Sequence, residues 1–295
     1  MPPQMPKLTV AQALKLEHPL VTPIAHDALT ARLIKRAGFR AFAIGGSSLL
    51  ATRLGLPDIG LVGVTDMTDG IRDIASATDL PFFADGDDGY GDVKSVARTV
   101  RLYEDIGAGG ILIEDQHRDH KQQRAEKARG IVDLPVIEAK LKVALAERRN
   151  PDTFIVGRTD AAGLNGLDDA LRRAEAFLRL GVDGVFVAGL RTMEDYERVG
   201  KELRGTMLSA ALFETPGMPW PTPAEMAALG YSQVSYPATL IFRVASAISK
   251  TLNDLRRHAQ GIQPMAQSPD ADDSRIILDE ALELARWQEI EKRES

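Results

Sequence analysis

The chain has 295 residues, with 36 Lys and Arg against 42 Asp and Glu, a formal net charge of −6. That balance repels phosphate, which excludes broad binding to nucleic acid or to an anionic membrane. The absence of cysteine removes disulfides, thiolate metal sites and a cysteine nucleophile. No apolar run approaches the ~18–20 residues of a bilayer span, and the N-terminus lacks a signal-peptide pattern, so the expected address is the cytoplasm.

One rhythm recurs along the chain. An amphipathic stretch ends at glycine, and a short apolar run follows that ends in polar residues. Examples are Ala28–Ala37, then Gly38 and FRAFAIGG; Val93–Ile106, then Gly107 and GGILIED; Asp168–Leu180, then Gly181 and DGVFVAG; and Pro223–Leu229, then Gly230 and SQVSYPAT. Glycine closes a helix by taking the left-handed conformation that other residues resist. Short, nearly continuous apolar runs read as strands buried on both faces. Eight are expected: residues 20–27, 39–46, 80–87, 109–115, 153–160, 183–189, 206–212 and 232–239. Eight such units favour a closed (β/α)8 barrel; the alternative, a doubly wound sheet, lacks a GxGxxG after its first strand. The barrel domain is expected to span residues 1–260. A helix running from past Leu240 to about His258 ends it. A linker and a C-terminal amphipathic helix over about 273–293 then fill residues 261–295, to pack on the barrel or on a partner subunit.

The active site of such a barrel lies at the C-terminal ends of the strands. Acidic residues gather there at neighbouring ends: Asp85, Asp87 and Asp88, then Glu114 and Asp115. Unneutralised, such carboxylates repel one another, and a hard divalent cation such as Mg²⁺ answers the problem with oxygen ligands. The competing reading is solvated loop acids, some capping the helix near Asp92. Arg158 closes the fifth strand, either as a fork for a substrate carboxylate or as an internal partner of Glu114 or Asp160. Gly45, Gly46 and Ser47 offer backbone N–H groups and a hydroxyl for a second carboxylate, or form only a tight turn. Arg243 either completes an anion site or sits on the surface.

The stretches GFRAFAIGGSSLLATRLGLPDIGLVGVTDM, FFADGDDGYGD, GILIEDQ and FIVGRTDAAGLNGLDDALRRAEAF resemble the isocitrate lyase/phosphoenolpyruvate mutase superfamily, over Pro23 to about Gly261. The resemblance implies a barrel that breaks or rearranges a bond beside a carboxylated carbonyl or alkoxide, with Mg²⁺ as cofactor and Mn²⁺ as a substitute. It places the metal shell on Asp85, Asp87 and Glu114 with Asp58 nearby, and substrate contacts on Gly45, Gly46, Ser47, Arg158 and Arg243. It also implies homotetramers, dimers of dimers, in which the eighth helix swaps between subunits.

The chain departs from the lyases of that group at three places. Their KRCGH-like loop supplies a cysteine acid/base, whereas this chain reads HRDHKQQRAEKARG, with Gln122 at the cysteine's place. Glutamine exchanges no proton near neutral pH. They carry a glutamate at the end of strand six and an asparagine at the end of strand seven, where this chain has Ala188-Gly189 and Ala210. Replacement proton donors come from the loop (His117, His120, Lys121, Arg124) or from Tyr90 and Tyr236, each of which also reads as solvated or merely hydrogen-bonded. Arg158, Asp58, Tyr90, His120, Lys121 and Arg124 are therefore the catalytic candidates, and Tyr236 is a substrate contact. The expected function is a Mg²⁺-dependent lyase or decarboxylase acting on a small 2-oxo or 2-hydroxy dicarboxylate. A P–C mutase or phosphonopyruvate hydrolase, and a non-catalytic metabolite-binding barrel, are the alternatives.

Overall fold

Each of the eight apolar runs becomes a strand of one parallel sheet in the computed structural model, which describes residues 8–121 and 130–293. The strands are β1 (Leu20–Pro23), β2 (Phe42–Ile44), β3 (Phe82–Asp85), β4 (Gly110–Glu114), β5 (Phe154–Thr159), β6 (Gly184–Val187), β7 (Met207–Ala211) and β8 (Gln233–Tyr236). Hydrogen-bonded neighbours run in the order β1-β8-β7-β6-β5-β4-β3-β2. The two ends of that order meet at a parallel bridge between Ile24 and Ala43, where Ala25 N donates to Ala43 O at 2.9 Å. The bridge makes the sheet a (β/α)8 barrel and rules out the open doubly wound arrangement.

Helices fill the intervals. α1 (Val10–Leu16) precedes β1 and α2 (Ala28–Arg36) follows it; α3 (Gly46–Leu54) and α4 (Val64–Ser76) follow β2; α5 (Val93–Ile106) follows β3. A 3-10 turn (Arg118–His120) and α6 (Leu134–Glu147) follow β4, and α7 (Ala162–Asn165) and α8 (Leu167–Leu180) follow β5. α9 (Met193–Glu202) and α10 (Pro223–Leu229) follow β6 and β7. The glycines expected to end helices do so: φ is +87° at Gly38, +94° at Gly107, +93° at Gly181 and +101° at Gly230. Asp92 caps α5, accepting from the backbone N–H groups of Lys94 and Ser95.

α1 was not foreseen, although Thr9 and Gln12 form a capping box at its start. Its Val10 and Ala13 are wholly buried and pack in one cluster with Leu20, Ala41, Phe83 and Val156. The helix thus adds apolar cover at the end of the barrel where the strands begin, opposite the expected site.

The chain divides into two compact units, Met1–Ala238 and Thr239–Ser295. The second holds α11 (Thr239–Ala259), α12 (Ala271–Ala281) and α13 (Leu284–Arg293). The single helix expected over 273–293 is corrected to two. Glu283 takes φ +54°, a left-handed backbone that cannot propagate a right-handed helix. No described helix is long and apolar enough to cross a membrane.

Candidate active site

Three strand-end carboxylates converge. β3 ends at Asp85 and the chain turns through Gly86 to Asp87, while β4 ends at Glu114. The turn is tight: a Cβ on Gly86 would lie 2.6 Å from Leu112 O, so only glycine fits between the two aspartates. One oxygen from each of Asp85, Asp87 and Glu114 lies within 4.8 Å of the others. Asp85 is held by the backbone N–H of Asp87 at 3.1 Å and by that of Gly46, in the first turn of α3, at 3.4 Å. Asp58, on the loop between α3 and α4, is buried beside them; a Cβ on Gly46 would stand 3.1 Å from its Oδ2 and 3.7 Å from Asp85 Oδ2.

Two cations face these acids. Lys121 is buried, with Nζ 3.1 Å from Asp58 Oδ1, 3.5 Å from Glu114 Oε1 and in contact with Asp87 Oδ1. Arg158 places Nη1 2.9 Å from Glu114 Oε2 and Nη2 2.9 Å from Asp160 Oδ1, with its guanidinium 5.4 Å from the Phe186 ring centroid. Burial, reinforced by Asp160, Asp85 and Asp58 and opposed by Arg158, raises the Glu114 carboxyl well above the usual range. Both Glu114 oxygens and Asp87 Oδ1 are buried and receive no hydrogen bond, only ionic contacts. Buried oxygens without hydrogen-bond donors, and more carboxylates than cations, fit a hard divalent ion that takes oxygen ligands.

The other two rim acids turn away from this cluster. Asp88 accepts from Lys140 Nζ at 3.1 Å and from Arg118 Nη1 at 3.1 Å, and Lys140 also reaches Asp88 O at 2.7 Å. Asp115 accepts from Thr159 Oγ1 at 2.7 Å, from Asp160 N at 2.9 Å and from Arg173 Nη1 at 3.1 Å, while burial pushes its carboxyl up to about 6. Lys140 and Arg173 escaped the sequence reading, but a signal existed. Lys140 falls at helical spacing with the buried Ile137, Leu141 and Ala144, and Arg173 with Ala170, Ala174 and Phe177. A cation on an apolar stripe announces a buried anion.

The remaining candidates separate. Gly45, Gly46, Ser47, Asp58, Lys121 and Arg158 line a cavity of about 120 Å³ together with Asp85 and Glu114. Tyr90 is not among its lining residues. Its hydroxyl lies 3.0 Å from that of Tyr103, which donates to Asp85 O at 3.0 Å, and Arg118 covers its ring at 5.3 Å. Tyr90 therefore braces the end of β3. His120 is exposed and packs against His117, with ring centroids 5.0 Å apart and the planes tilted by 34°. Tyr236 packs edge-on against Trp220, while its neighbours Ser235 and Pro237 line the cavity. Arg243 belongs to the second unit and donates to Thr239 O at 3.2 Å. Arg124 and Gln122 lie outside the described residues.

A barrel with a carboxylate triad at β3 and β4 and an arginine at β5 is the arrangement to set beside known proteins. The profile of the family described as phosphoenolpyruvate phosphomutase matches residues 11–256. The chain belongs to this family. It is 36% identical to the 2,3-dimethylmalate lyase of Eubacterium barkeri, over 80% of this chain and 81% of that one. It is 33% identical to a probable 2-methylisocitrate lyase of Corynebacterium glutamicum, over 83% and 80% of the two chains. Among solved structures, oxaloacetate acetylhydrolase in complex with the product oxalate superposes with a TM-score of 0.86 at 26% identity, covering 97% of this chain and 96% of the other. A phosphonopyruvate hydrolase complexed with oxalate and Mg²⁺ gives 0.79 at 26% identity, covering 95% and 96%. The protein is thus an enzyme of the isocitrate lyase/phosphoenolpyruvate mutase superfamily, in which these curated relatives are lyases, and the non-catalytic barrel is set aside.

The buried Asp115–Arg173 pair offers a direct check on how the rim is neutralised. Arg173→Met leaves a buried carboxylate without its cation and is expected to cost about 3 kcal/mol. Adding Asp115→Asn should recover part of that loss. Urea unfolding of the two variants reads both effects.

Proposed function

We propose that the protein is a Mg²⁺-dependent lyase or decarboxylase that breaks a carbon–carbon bond of a small 2-oxo or 2-hydroxy dicarboxylate through an enolate. The observation that carries this reading is the convergence of Asp85, Asp87 and Glu114 beside Arg158 in one cavity. These three acids would hold the cation, for which Mn²⁺ would substitute. Bound there, a divalent ion supplies a Lewis acid for the negative charge that develops on the substrate oxygen.

The chain's own groups supply the rest. Ser47, at the start of α3, presents its backbone N–H and its hydroxyl to a substrate carboxylate at the positive end of a helix, while the Gly46 N–H holds Asp85. Arg158, fixed by Glu114 and Asp160, orients the same end of the substrate. For a hydroxy acid, the hydroxyl proton passes to solvent water, its carbon becomes a carbonyl, and the bonding pair passes to the neighbouring carbon, which takes up a proton. For an oxo diacid, CO₂ leaves and the enolate is protonated. Among the described loop residues considered as donors, Lys121 is the one that lines the cavity, and we assign the proton to its Nζ. A phosphonate substrate needs further cations for its phosphoryl group. Among the described lining residues Lys121 and Arg158 are the cations, and both already face carboxylates, which favours carbon over phosphorus.

The protein is further proposed to work in the cytoplasm as a homotetramer, a dimer of dimers. α11 supports this reading, since Ile248, Leu252 and Leu255 recur at helical spacing and are 54%, 58% and 49% exposed. Exchange of this helix between subunits, with the C-terminal extension packing on the barrel or a partner, would cover them.

The deciding experiment is a panel of 2-oxo and 2-hydroxy diacids assayed for 2-oxo acid formation with and without Mg²⁺. EDTA should abolish turnover, and Asp85→Ala should lower kcat/KM by at least about a thousandfold, roughly 4 kcal/mol of charge stabilisation. No turnover of any member would overturn the reading. Lys121→Met should reduce kcat about a hundredfold or more, as loss of a proton donor does, while oxalate still binds in the presence of Mg²⁺. Light scattering should return the mass of a tetramer, and a monomer would contradict the assembly.

A further inference from the structure

Arg118 opens the 3-10 turn that leads into Lys121, and it touches the segments that supply Asp58 and Asp87. Its Nη1 lies 3.1 Å from Asp88 Oδ1 and 3.7 Å from Asp87 Oδ2, its Nη2 donates to Val62 O, and its guanidinium covers the Tyr90 ring at 5.3 Å. One side chain thus binds the segment after β3 to the loop between α3 and α4, which carries Asp58. The backbone makes the same junction. Arg118 O accepts from Lys121 N at 3.2 Å and packs on Gly60, where a Cβ would stand 3.0 Å from it. Gly60 takes φ +80°, so both the turn and the close approach call for glycine.

Neutralising Asp88 does not account for this placement. Lys140, itself buried, already reaches Asp88 Oδ2 at 3.1 Å and Asp88 O at 2.7 Å. Arg118, with its side chain 25% exposed, adds a second cation from the solvent side. A guanidinium presents its donors in a fixed fork, so bonds to a carboxylate and to a carbonyl on another loop set how far apart the two lie. Residues three apart in a 3-10 turn share a face. Arg118 and Lys121 accordingly both meet Asp87, and the side chain of Lys121 is only 5% exposed.

We infer that Arg118 is a positioning residue: it clasps the segment after β3 to the α3–α4 loop and so holds Lys121 Nζ among Asp58, Asp87 and Glu114. The inference rests on the assignment of the proton to Lys121 above and names the residue that fixes that donor. An ammonium that gives its proton to carbon must be held in place, since a shift of about 1 Å costs on the order of a hundredfold in rate. Without the guanidinium, the ties from the turn to Asp88 and Val62 are gone, and Lys121 exchanges carboxylates for water.

The test follows the Lys121 amine and turnover separately, on the full chain with Mg²⁺. Acetic anhydride labels amines, and mass spectrometry compares Lys121 with Lys94, whose side chain is 87% exposed. Arg118→Met should raise the labelling of Lys121 relative to Lys94 at least about tenfold, because a locally opened site admits the reagent. Gly60→Ala presses on Arg118 O from the other loop and should do the same; it carries the test if the first variant does not fold. With a diacid substrate, Arg118→Met should lower kcat about thirtyfold and change KM less than about threefold, yet alter kcat less than about threefold when added to Lys121→Met. A merely structural role would lower kcat by one factor in both backgrounds. Unmoved labelling, equal losses in the two backgrounds, or an unchanged kcat where Lys121→Met loses activity overturns the inference. Lys121→Met as active as the native chain, or no turnover of any diacid, sinks the earlier reading alone, and the labelling then still decides whether Arg118 holds Lys121.

Discussion

Like charges forced together at the rim of a barrel are the constraint on which the site depends. Two unit charges 4 Å apart interact by about 4 kcal/mol at the effective dielectric of a protein surface. Asp85, Asp87 and Glu114 bring oxygens within 4.8 Å of one another, and Asp58 adds a fourth acid. A bound proton or a nearby cation relieves that repulsion, and the raised Glu114 carboxyl shows how strongly it acts. Lys121 and Arg158 meet part of the demand, and the buried oxygens of Glu114 and Asp87 that receive no hydrogen bond mark what remains.

The same constraint explains why the rim acids split into two classes. Asp115 sits one residue beyond Glu114 at the end of β4, where neighbours point to opposite sides, and Asp88 follows Asp87, whose φ of +53° turns the chain. Turned away from the cavity, each meets a cation rooted in a surrounding helix: Lys140 on α6 for Asp88, and Arg173 on α8 for Asp115. These outer pairs bind the strand ends to the helical layer. Asp115 also accepts from the backbone of Asp160, whose side chain holds Arg158, so the outer pair reaches the inner site through one residue. Arg118 makes a similar tie, joining Asp88 to the loop before α4 through Val62 O.

The strands were legible because burial on both faces writes them as uniform apolar runs, and the helix ends because glycine is needed at φ near +90°. The convergence of the three carboxylates was legible because a barrel gathers strand ends whatever their separation in sequence. What stayed hidden depends on side-chain direction. Five acids at neighbouring strand ends look alike in sequence, and only the backbone decides that Asp88 and Asp115 face outward. Tyr90 looked like a cavity residue by its place after β3, but φ +60° carries it to the Tyr103 side. The break at Glu283 was invisible because glutamate is an ordinary helix former and nothing in its type announces a left-handed backbone. The capping box before α1 was visible and overlooked, since a seven-residue helix gives little periodicity to reinforce it.

The cavity is charged along β3 to β5, whereas Ala188, Ala210 and Phe213 line it at the ends of β6 and β7. This division follows from how a barrel is put together. Each strand end is anchored by its own ladder and its own helix, so residues on β6 to β8 can change without moving those on β3 to β5. Chemistry concentrates where charges must be neighbours: the three acids, Lys121 and Arg158 depend on one another, and replacing one leaves another buried without its partner. The wall of Ala188, Ala210 and Phe213 carries no such mutual dependence, because apolar contacts are undirected and tolerate exchange of size. Residues of that wall can therefore change while the acid end keeps its geometry. The interdependence of charges fixes what is done at one end of the chamber, and the independence of apolar walls leaves open to what it is done at the other.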